Sequence, residues 1–327
     1  MAKQKTKQNK TKNKPSKKQY SLTEKILGLV ELGRPVEWSK SLLNMFIALL
    51  MAFYIYQVSV ELTTFIVGFF AVALLWSGLY ALNDYTDWKI DSLHERKKSR
   101  PIPSGKISPK QGLAFSLILL IISFGISFAL GNFLLLMCLL IMLTNQLLYT
   151  TKPWRLKSRK FFDVISGSMV NPFFRYFSGI VLFVPAFALF AEVTPLLPII
   201  FVVGIQFSGY SLYRLFSKSH DTKLKMKSSV ALLPEKLVKK IAYFVMLIAG
   251  LSYLGLLFNG TFFRIDFLGW LPVQYFGAII IVLLFAPFLK GAIKKPQNAD
   301  MKSSYRLLYG MNVVFVIANA IIFLLFP

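Results

Sequence analysis

The sequence predicts an all-α integral membrane protein, with nine transmembrane helices in one bundle and the N-terminus on the cytoplasmic side. Three observations lead there. Hydrophobic residues make up 55% of the 327 positions. Apolar runs of about 17 to 22 residues, long enough as helices to cross ~30 Å of hydrocarbon, recur along the chain. Of the 38 Lys and Arg residues, all but Arg175 and Arg264 fall in five stretches, 1–40, 83–110, 151–160, 214–240 and 290–306. Those stretches separate the runs so that every one of them lies on the same side of the membrane.

The runs fall near 41–58, 62–82, 111–130, 132–150, 163–182, 195–213, 238–258, 270–289 and 307–326. The fifth, interrupted by Pro172 and Arg175, is the least regular. Ahead of them, residues 1–22 are dominated by Lys, Gln, Asn and Thr and offer no apolar face, which predicts a disordered basic tail beside the inner leaflet. Residues 23–327 form a single membrane domain. No apolar segment with a small-residue cleavage site follows the tail's charges closely, so a signal peptide is a poor fit.

The formal net charge of +24 would suggest nucleic acid on a soluble protein. Its confinement to one face makes it a topology signal and an attraction for anionic membrane lipids instead. By the positive-inside rule that face is cytoplasmic, which predicts a multi-pass cell-membrane protein. Cys138, the sole cysteine, lies within an apolar run and excludes a disulfide framework. Gly250, Gly255 and Gly277 predict close helix contacts. The long inter-helix loops, 83–110, 214–237 and 290–306, are all on the basic side, so polar chemistry belongs there.

The stretch "ALNDYTDWKIDSLHERKKSRPIPSG", residues 81–105, follows the second run directly. Asn83, Asp87 and Asp91 are spaced i, i+4, i+8. If the second helix continues past the membrane border they share one face, with Asp84 one residue round from Asn83. Ionised carboxylates beside an apolar cavity require a cation between them. Oxygen ligands without Cys or His at ligand spacing point to Mg²⁺ rather than zinc. Arg96, Lys97, Lys98 and Arg100, just downstream, offer donors for a phosphate that would share the metal's shell. The plainer reading is that these acids pair with those bases in a solvated loop.

The pattern is more specific than that. "NDYTDWKID" followed by "RPIPSG" resembles the first aspartate-rich motif of the UbiA superfamily of intramembrane prenyltransferases. "LGRPVEWSKS" is similar to that family's approach to its first helix, and "LYTTKPWRLKSRKFFDVISG" to its stretch after helix four. The resemblance covers most of residues 30–235. It implies a nine-helix bundle in which Asn83, Asp84, Asp87 and Asp91 hold Mg²⁺ and a prenyl diphosphate donor, and a lipophilic acceptor enters the same cavity. The family's second acidic motif follows helix six. Aligning "LFSKSHDTKLKMKSSVALL" to it leaves Asp221 as one acid and Ser217 where the other belongs, so one carboxylate of a second metal shell is missing.

The implied catalytic set is Asp87, Asp91 and Asp221. Arg34, Lys40, Arg100, Lys152, Arg155 and Lys223 are expected to bind the diphosphate with Asn83, because leaving-group charge must be neutralised as the allylic C–O bond ionises. Trp76, Tyr80 and Tyr149 offer aromatic faces to a carbocation, although packing alone explains them as well. Asp163 and Arg175 flank or enter the fifth run. Twelve residues separate them, ~18 Å on a helix, too far to pair, so Asp163 is expected at the cytoplasmic edge and Arg175 as a substrate-binding cavity or acceptor contact, the alternative being a structural link to backbone carbonyls. His94 and His220 are expected to be solvated.

The function this predicts is transfer of a polyprenyl group to a hydrophobic or aromatic acceptor. Two alternatives stand beside it. "RPVEWSK" and "HERKKSRPI" also resemble the polyprenyl-phosphate phosphoribosyltransferases of the same superfamily, through His94, Lys97 and Arg100. Ser217 and the lysine-rich "KLKMK" suit a non-catalytic membrane scaffold.

Overall fold

The structure is a computed structural model that describes residues 19–95, 97–186, 188, 196–223, 226–257, 271–280, 283–284 and 301–325. Among these the secondary structure is helical apart from one isolated bridge, Arg159 to Lys227. Residues 1–18 of the expected tail lie outside the described set. By Ser21 the chain is already ordered into a cap for α1 (Leu22–Gly33), where Ser21 and Glu24 form a reciprocal capping box. This short helix was not among the expected spans. It ends at Arg34 in the left-handed region, φ 49°, and a 3₁₀ turn at Pro35–Glu37 leads into α2 (Trp38–Tyr54).

Helix α3 (Leu62–Asp91) is the organising element. Its 30 residues run unbroken from the second apolar segment through the acidic stretch. The stripe at Asn83, Asp87 and Asp91 therefore does extend a membrane helix, as the spacing predicts. A Ser108–Gln111 capping box opens α4 (Pro109–Ala129), and the Asn132 side chain caps α5 (Phe133–Thr150). Helices α3 and α4 pack along their lengths. Ser116 Oγ donates to the Gly78 carbonyl at 2.7 Å and Ser123 Oγ to the Ala71 carbonyl at 2.6 Å, satisfying these hydroxyls inside the bundle.

The irregular fifth segment is a continuous but deformed helix: α6 (Phe162–Ile165), a π turn at Ser166–Val170, and α7 (Asn171–Ile180). Pro172 has no amide hydrogen to donate to the turn before it. Asn145 of α5 steadies this region, donating to the Ser166 carbonyl at 2.9 Å and to Asn171 Oδ1 at 2.7 Å while accepting from Ser166 Oγ at 2.8 Å. The remaining helices are α8 (Leu196–Leu215), α9 (Lys218–Lys223), α10 (Ser229–Leu232), α11 (Glu235–Leu257) and α12 (Met301–Leu325).

Close approach depends on small residues, at positions other than those expected. A Cβ on Gly179 would meet the Met45 backbone at 2.8 Å where α7 crosses α2, and one on Gly204 would meet the Ala249 Cβ at 2.8 Å where α8 crosses α11. Gly250 and Gly277, by contrast, face open space among the described residues. The shared core gathers Met45, Leu50, Leu75, Leu139, Tyr176 and Val202 from five helices.

This is a multi-pass membrane protein. Among the described residues six stretches are long and apolar enough to cross a bilayer: Leu22–Tyr54, Leu62–Asp91, Pro109–Ala129, Phe133–Thr150, Leu196–Leu215 and Glu235–Leu257. Of the other three expected spans, the fifth is the deformed helix and the ninth the shorter apolar helix Tyr309–Leu325. The eighth lies partly outside the described residues.

Candidate active site

The end of α3, the loop after α5 and the end of α8 converge on a cavity of about 240 Å³. Asn83, Asp87 and Asp91 line one wall, since residues four apart on a helix stack on one face. The Asp87 carboxylate accepts from Arg155 at 2.9 Å and Lys157 at 2.5 Å. Asp91 accepts from Arg100 at 2.7 Å and lies 3.4 Å from Lys97. The Asn83 amide oxygen accepts from Lys157 at 3.0 Å and Thr150 at 2.9 Å. The acids do pair with bases, as the plainer reading holds, but they are buried: Asp87 is 8% exposed and Asp91 2%. The loop that follows is largely exposed, at Ser92, Leu93, Glu95, Lys98 and Ser99, but His94, also expected in solvent, is buried within it.

Asp84 is placed differently. It does not line the cavity; Arg34 at 2.5 Å and Arg100 at 3.1 Å hold it behind the wall. One residue on a helix is a rotation of about 100°, and that rotation turns Asp84 into the support for two cations that do face the cavity.

The opposite wall comes from α8 and α9. Ser217 and Asp221 both reach the cavity. Asp221 accepts from Arg214 at 2.6 Å and Ser228 at 3.1 Å. Asp163, fully buried at the start of the deformed helix, accepts from the Ser229 amide at 3.0 Å and its hydroxyl at 2.6 Å, and so pins the loop behind Asp221. Asp163 is therefore a buried structural group at the start of the fifth segment.

Of the residues expected to bind substrate, Arg34, Lys40, Arg100, Arg155 and Arg175 line the cavity, whereas Lys152 and Lys223 do not and are exposed. The aromatic faces are already in use. Arg175 lies 3.8 Å from the Trp76 ring centroid, Arg34 5.2 Å from that of Tyr80, and Lys157 6.0 Å from that of Tyr149. Residues passed over by sequence reasoning are Lys157, Arg214, Glu37 and Tyr210. Lys157 is one of five bases within ten residues, and nothing local ranks it above its neighbours. Burial pushes its ammonium down to about 8, a shift that Asp87 opposes. The His220 side chain and Arg96 lie outside the described set.

Eight Lys and Arg side chains and four carboxylates line the cavity. The cationic surplus suits an anionic ligand. Among the described residues no three Asp, Glu, His or Cys side chains converge as a ready-made metal cage. Oxygen-only donors on facing walls fit Mg²⁺, which binds through one or two carboxylates and completes its shell with water and phosphate oxygens.

The model of the UbiA prenyltransferase family matches residues 44–316. The chain belongs to that family. Its curated UbiA-type relatives include digeranylgeranylglyceryl phosphate synthase of Methanopyrus kandleri, 30% identical over 128 residues, which are 39% of this chain and 43% of the relative. Protoheme IX farnesyltransferase of Leptospira biflexa is 34% identical over 110 residues, 33% of this chain and 38% of the relative. The matches thus span about two fifths of these relatives' length.

Solved structures share the fold. A UbiA homolog from Aeropyrum pernix K1 superposes with a TM-score of 0.68 at 18% identity, covering 88% of this chain and 98% of the other. A UbiA homolog from Archaeoglobus fulgidus, bound to GPP and Mg²⁺, gives 0.62 at 15% identity over 90% and 99%.

Proposed function

We propose that this chain is an intramembrane prenyltransferase. It moves a polyprenyl group from a prenyl diphosphate to a hydrophobic or aromatic acceptor, in a nine-span bundle whose N-terminus and active site face the cytoplasm. The observation that carries this reading is the single cavity in which Asn83, Asp87 and Asp91 face Asp221 among Lys and Arg side chains. Relatives named as a farnesyltransferase and a digeranylgeranylglyceryl phosphate synthase support it, as does a structural neighbour solved with GPP and Mg²⁺.

Asn83, Asp87, Asp91 and Asp221 would hold Mg²⁺. Bound there, the ion supplies positive charge to the departing diphosphate. The chain's own groups do the rest. Lys157, Arg155, Arg100 and Lys97 present N–H donors to the diphosphate oxygens and stabilise the charge that grows on them as the allylic C–O bond breaks. Asp84 keeps Arg34 and Arg100 aimed at the cavity. The apolar bundle below the acidic stripe receives the isoprenoid and keeps water from the cation.

The test is incubation of purified protein with Mg²⁺, geranylgeranyl diphosphate and a lipid extract, with diphosphate release and new products followed by mass spectrometry. Acceptor-dependent release that Asp87→Asn abolishes is the expected result. The phosphoribosyl reading draws on Lys97 and Arg100, which line the cavity beside the buried His94; release only from phosphoribosyl diphosphate would favour it. The scaffold reading draws on Ser217, and release from neither donor would favour that one.

A further inference from the structure

Arg175 lies on α7, 3% exposed, and faces the cavity. Each of the other Lys and Arg side chains lining that cavity has a carboxylate partner: Arg34 and Arg100 with Asp84, Lys40 with Glu37, Lys97 with Asp91, Arg155 and Lys157 with Asp87, Arg214 with Asp221. Arg175 makes no ion pair among the described residues. Its Nη1 donates to Gln206 Oε1 at 3.1 Å, and its Nε is buried with no hydrogen-bond partner among the described residues.

The guanidinium is held in place nonetheless. Trp76 lies against it at 3.8 Å. Gln206 is itself fixed by donating to Asn44 Oδ1 at 2.6 Å, and Asn44 by donating to the Pro172 carbonyl at 3.1 Å. A buried charge without a counter-charge is costly and is retained where a ligand or a partner compensates it. Here the orientation is built and a counter-charge is the missing part.

The position separates this group from the diphosphate site. Trp76 precedes Asn83 by seven residues and Asp87 by eleven, so Arg175 sits roughly 10 to 16 Å along α3 from the acidic stripe. Gln146, Asn171 and Asn312 line the same cavity and offer neutral hydrogen bonds to the remainder of a polar head group.

We infer that Arg175 anchors the acceptor, and that the acceptor carries a carboxylate or phosphate group that supplies the counter-charge to the cavity-lining guanidinium. This rests on the prenyltransferase reading: the anion is held at Arg175 and the nucleophilic atom lies between it and the acidic stripe, where the isoprenoid's first carbon is released. The Trp76 face then serves to aim the guanidinium and is not available to a carbocation.

The test uses the full chain in nanodiscs, with the donor site first saturated by Mg²⁺ and geranyl thiodiphosphate, a donor analogue that resists cleavage. Benzoate and octyl phosphate are then titrated calorimetrically against their neutral counterparts, benzamide and octanol. Wild type is expected to bind at least one anion roughly 10- to 100-fold more tightly than its neutral counterpart. The anion preferred tells a carboxylate acceptor from a phosphate one. Arg175→Met loses the preference, Arg175→Lys keeps part of it, and both bind the thiodiphosphate as wild type does; Arg175→Gln replaces the Met variant if that one aggregates on gel filtration.

The inference is overturned if wild type shows no anion preference, if the preference survives in Arg175→Met, or if that variant weakens thiodiphosphate binding equally. That last result would assign Arg175 to the donor site. Failure of the underlying reading looks different: wild type would show no Mg²⁺-dependent thiodiphosphate binding, and an Arg175-dependent anion preference measured without the analogue would then mark an anion site with no role as acceptor anchor.

Discussion

The two acidic walls of the cavity are built on opposite principles. On one side, Asn83, Asp87 and Asp91 ride a single 30-residue helix, and helical geometry alone puts them on one face. On the other, Asp221 stands on a six-residue helix and is held by side chains reaching in from elsewhere: Arg214, Ser228 and, through Ser229, Asp163. The first wall carries two cavity-facing carboxylates and an amide, the second one carboxylate and the hydroxyl of Ser217. In the first set the spacing of the ligands is fixed by the helix itself. In the second the positions depend on a loop, and it is there that the sequence resemblance leads one to expect a further carboxylate in place of Ser217.

The sharpest way to break this comparison is Asp87→Asn. Loss of a carboxylate that anchors both the expected metal and two cations should lower diphosphate release by roughly 10³-fold, with the gel-filtration profile unchanged. An equal loss in Asp221→Asn, with the two variants assayed side by side, would mean that both walls carry the same weight.

Lys157 gives the next effect. It is buried against Asp87, with Arg155 beside it and Lys97 across the cavity, and its ammonium ionises at about 8. The charged form, the one that binds a diphosphate, predominates below that pH and is lost above it. From the pH profile of kcat/KM we expect a basic limb, with the value at pH 9 about a tenth of that at pH 7. Lys157→Arg should move the limb out of range; an unchanged limb would assign it to another group.

Loosening the second wall should cost less. Asp163→Asn keeps the shape but loses the charge that accepts both Ser229 bonds, and a stability loss of about 1–3 kcal/mol is expected. Activity should fall about fivefold through the displaced Asp221, an indirect effect far below that of Asp87→Asn. Thermal unfolding and turnover measured on the same sample check both.

Smallest is the change that sharpens the contrast by removing it. Ser217→Asp restores a second carboxylate and should lower the Mg²⁺ concentration for half-maximal activity about threefold, since affinity follows the number of charged ligands. A higher requirement would show that a carboxylate at this position pairs with Arg214 instead of a metal ion.

Much of the first wall was legible in the sequence because its information is local. Four-residue spacing beyond an apolar run places Asn83, Asp87 and Asp91 without knowledge of anything else, and one-sided basic stretches give the alternation of helices. The pairing of charges was not legible. Whether Asp84 faces the cavity or supports Arg34 and Arg100 depends on helices distant in sequence, and Lys157 is indistinguishable from its neighbours until the loop after α5 folds against α3. Pro172 announced the irregular fifth helix, while the π turn and its Asn145 support required the partner helix. The Ser21–Glu24 capping box was readable and marks α1, a helix too short to register as a span.

The length of α3 has a further meaning. Thirty residues of helix measure about 45 Å, some 15 Å more than the hydrocarbon they must cross. The surplus is about ten residues, which is the length of the segment from Leu82 to Asp91 that carries the stripe. One rod therefore serves two environments, apolar along its shaft and a cation-lined polar cavity at its tip. For a reaction that splits an amphiphile into a greasy half and a salt, such a rod sorts the products as they form: the pyrophosphate is released where it dissolves, and the chain stays where it is already soluble. Turnover then needs no step in which either product crosses a phase boundary.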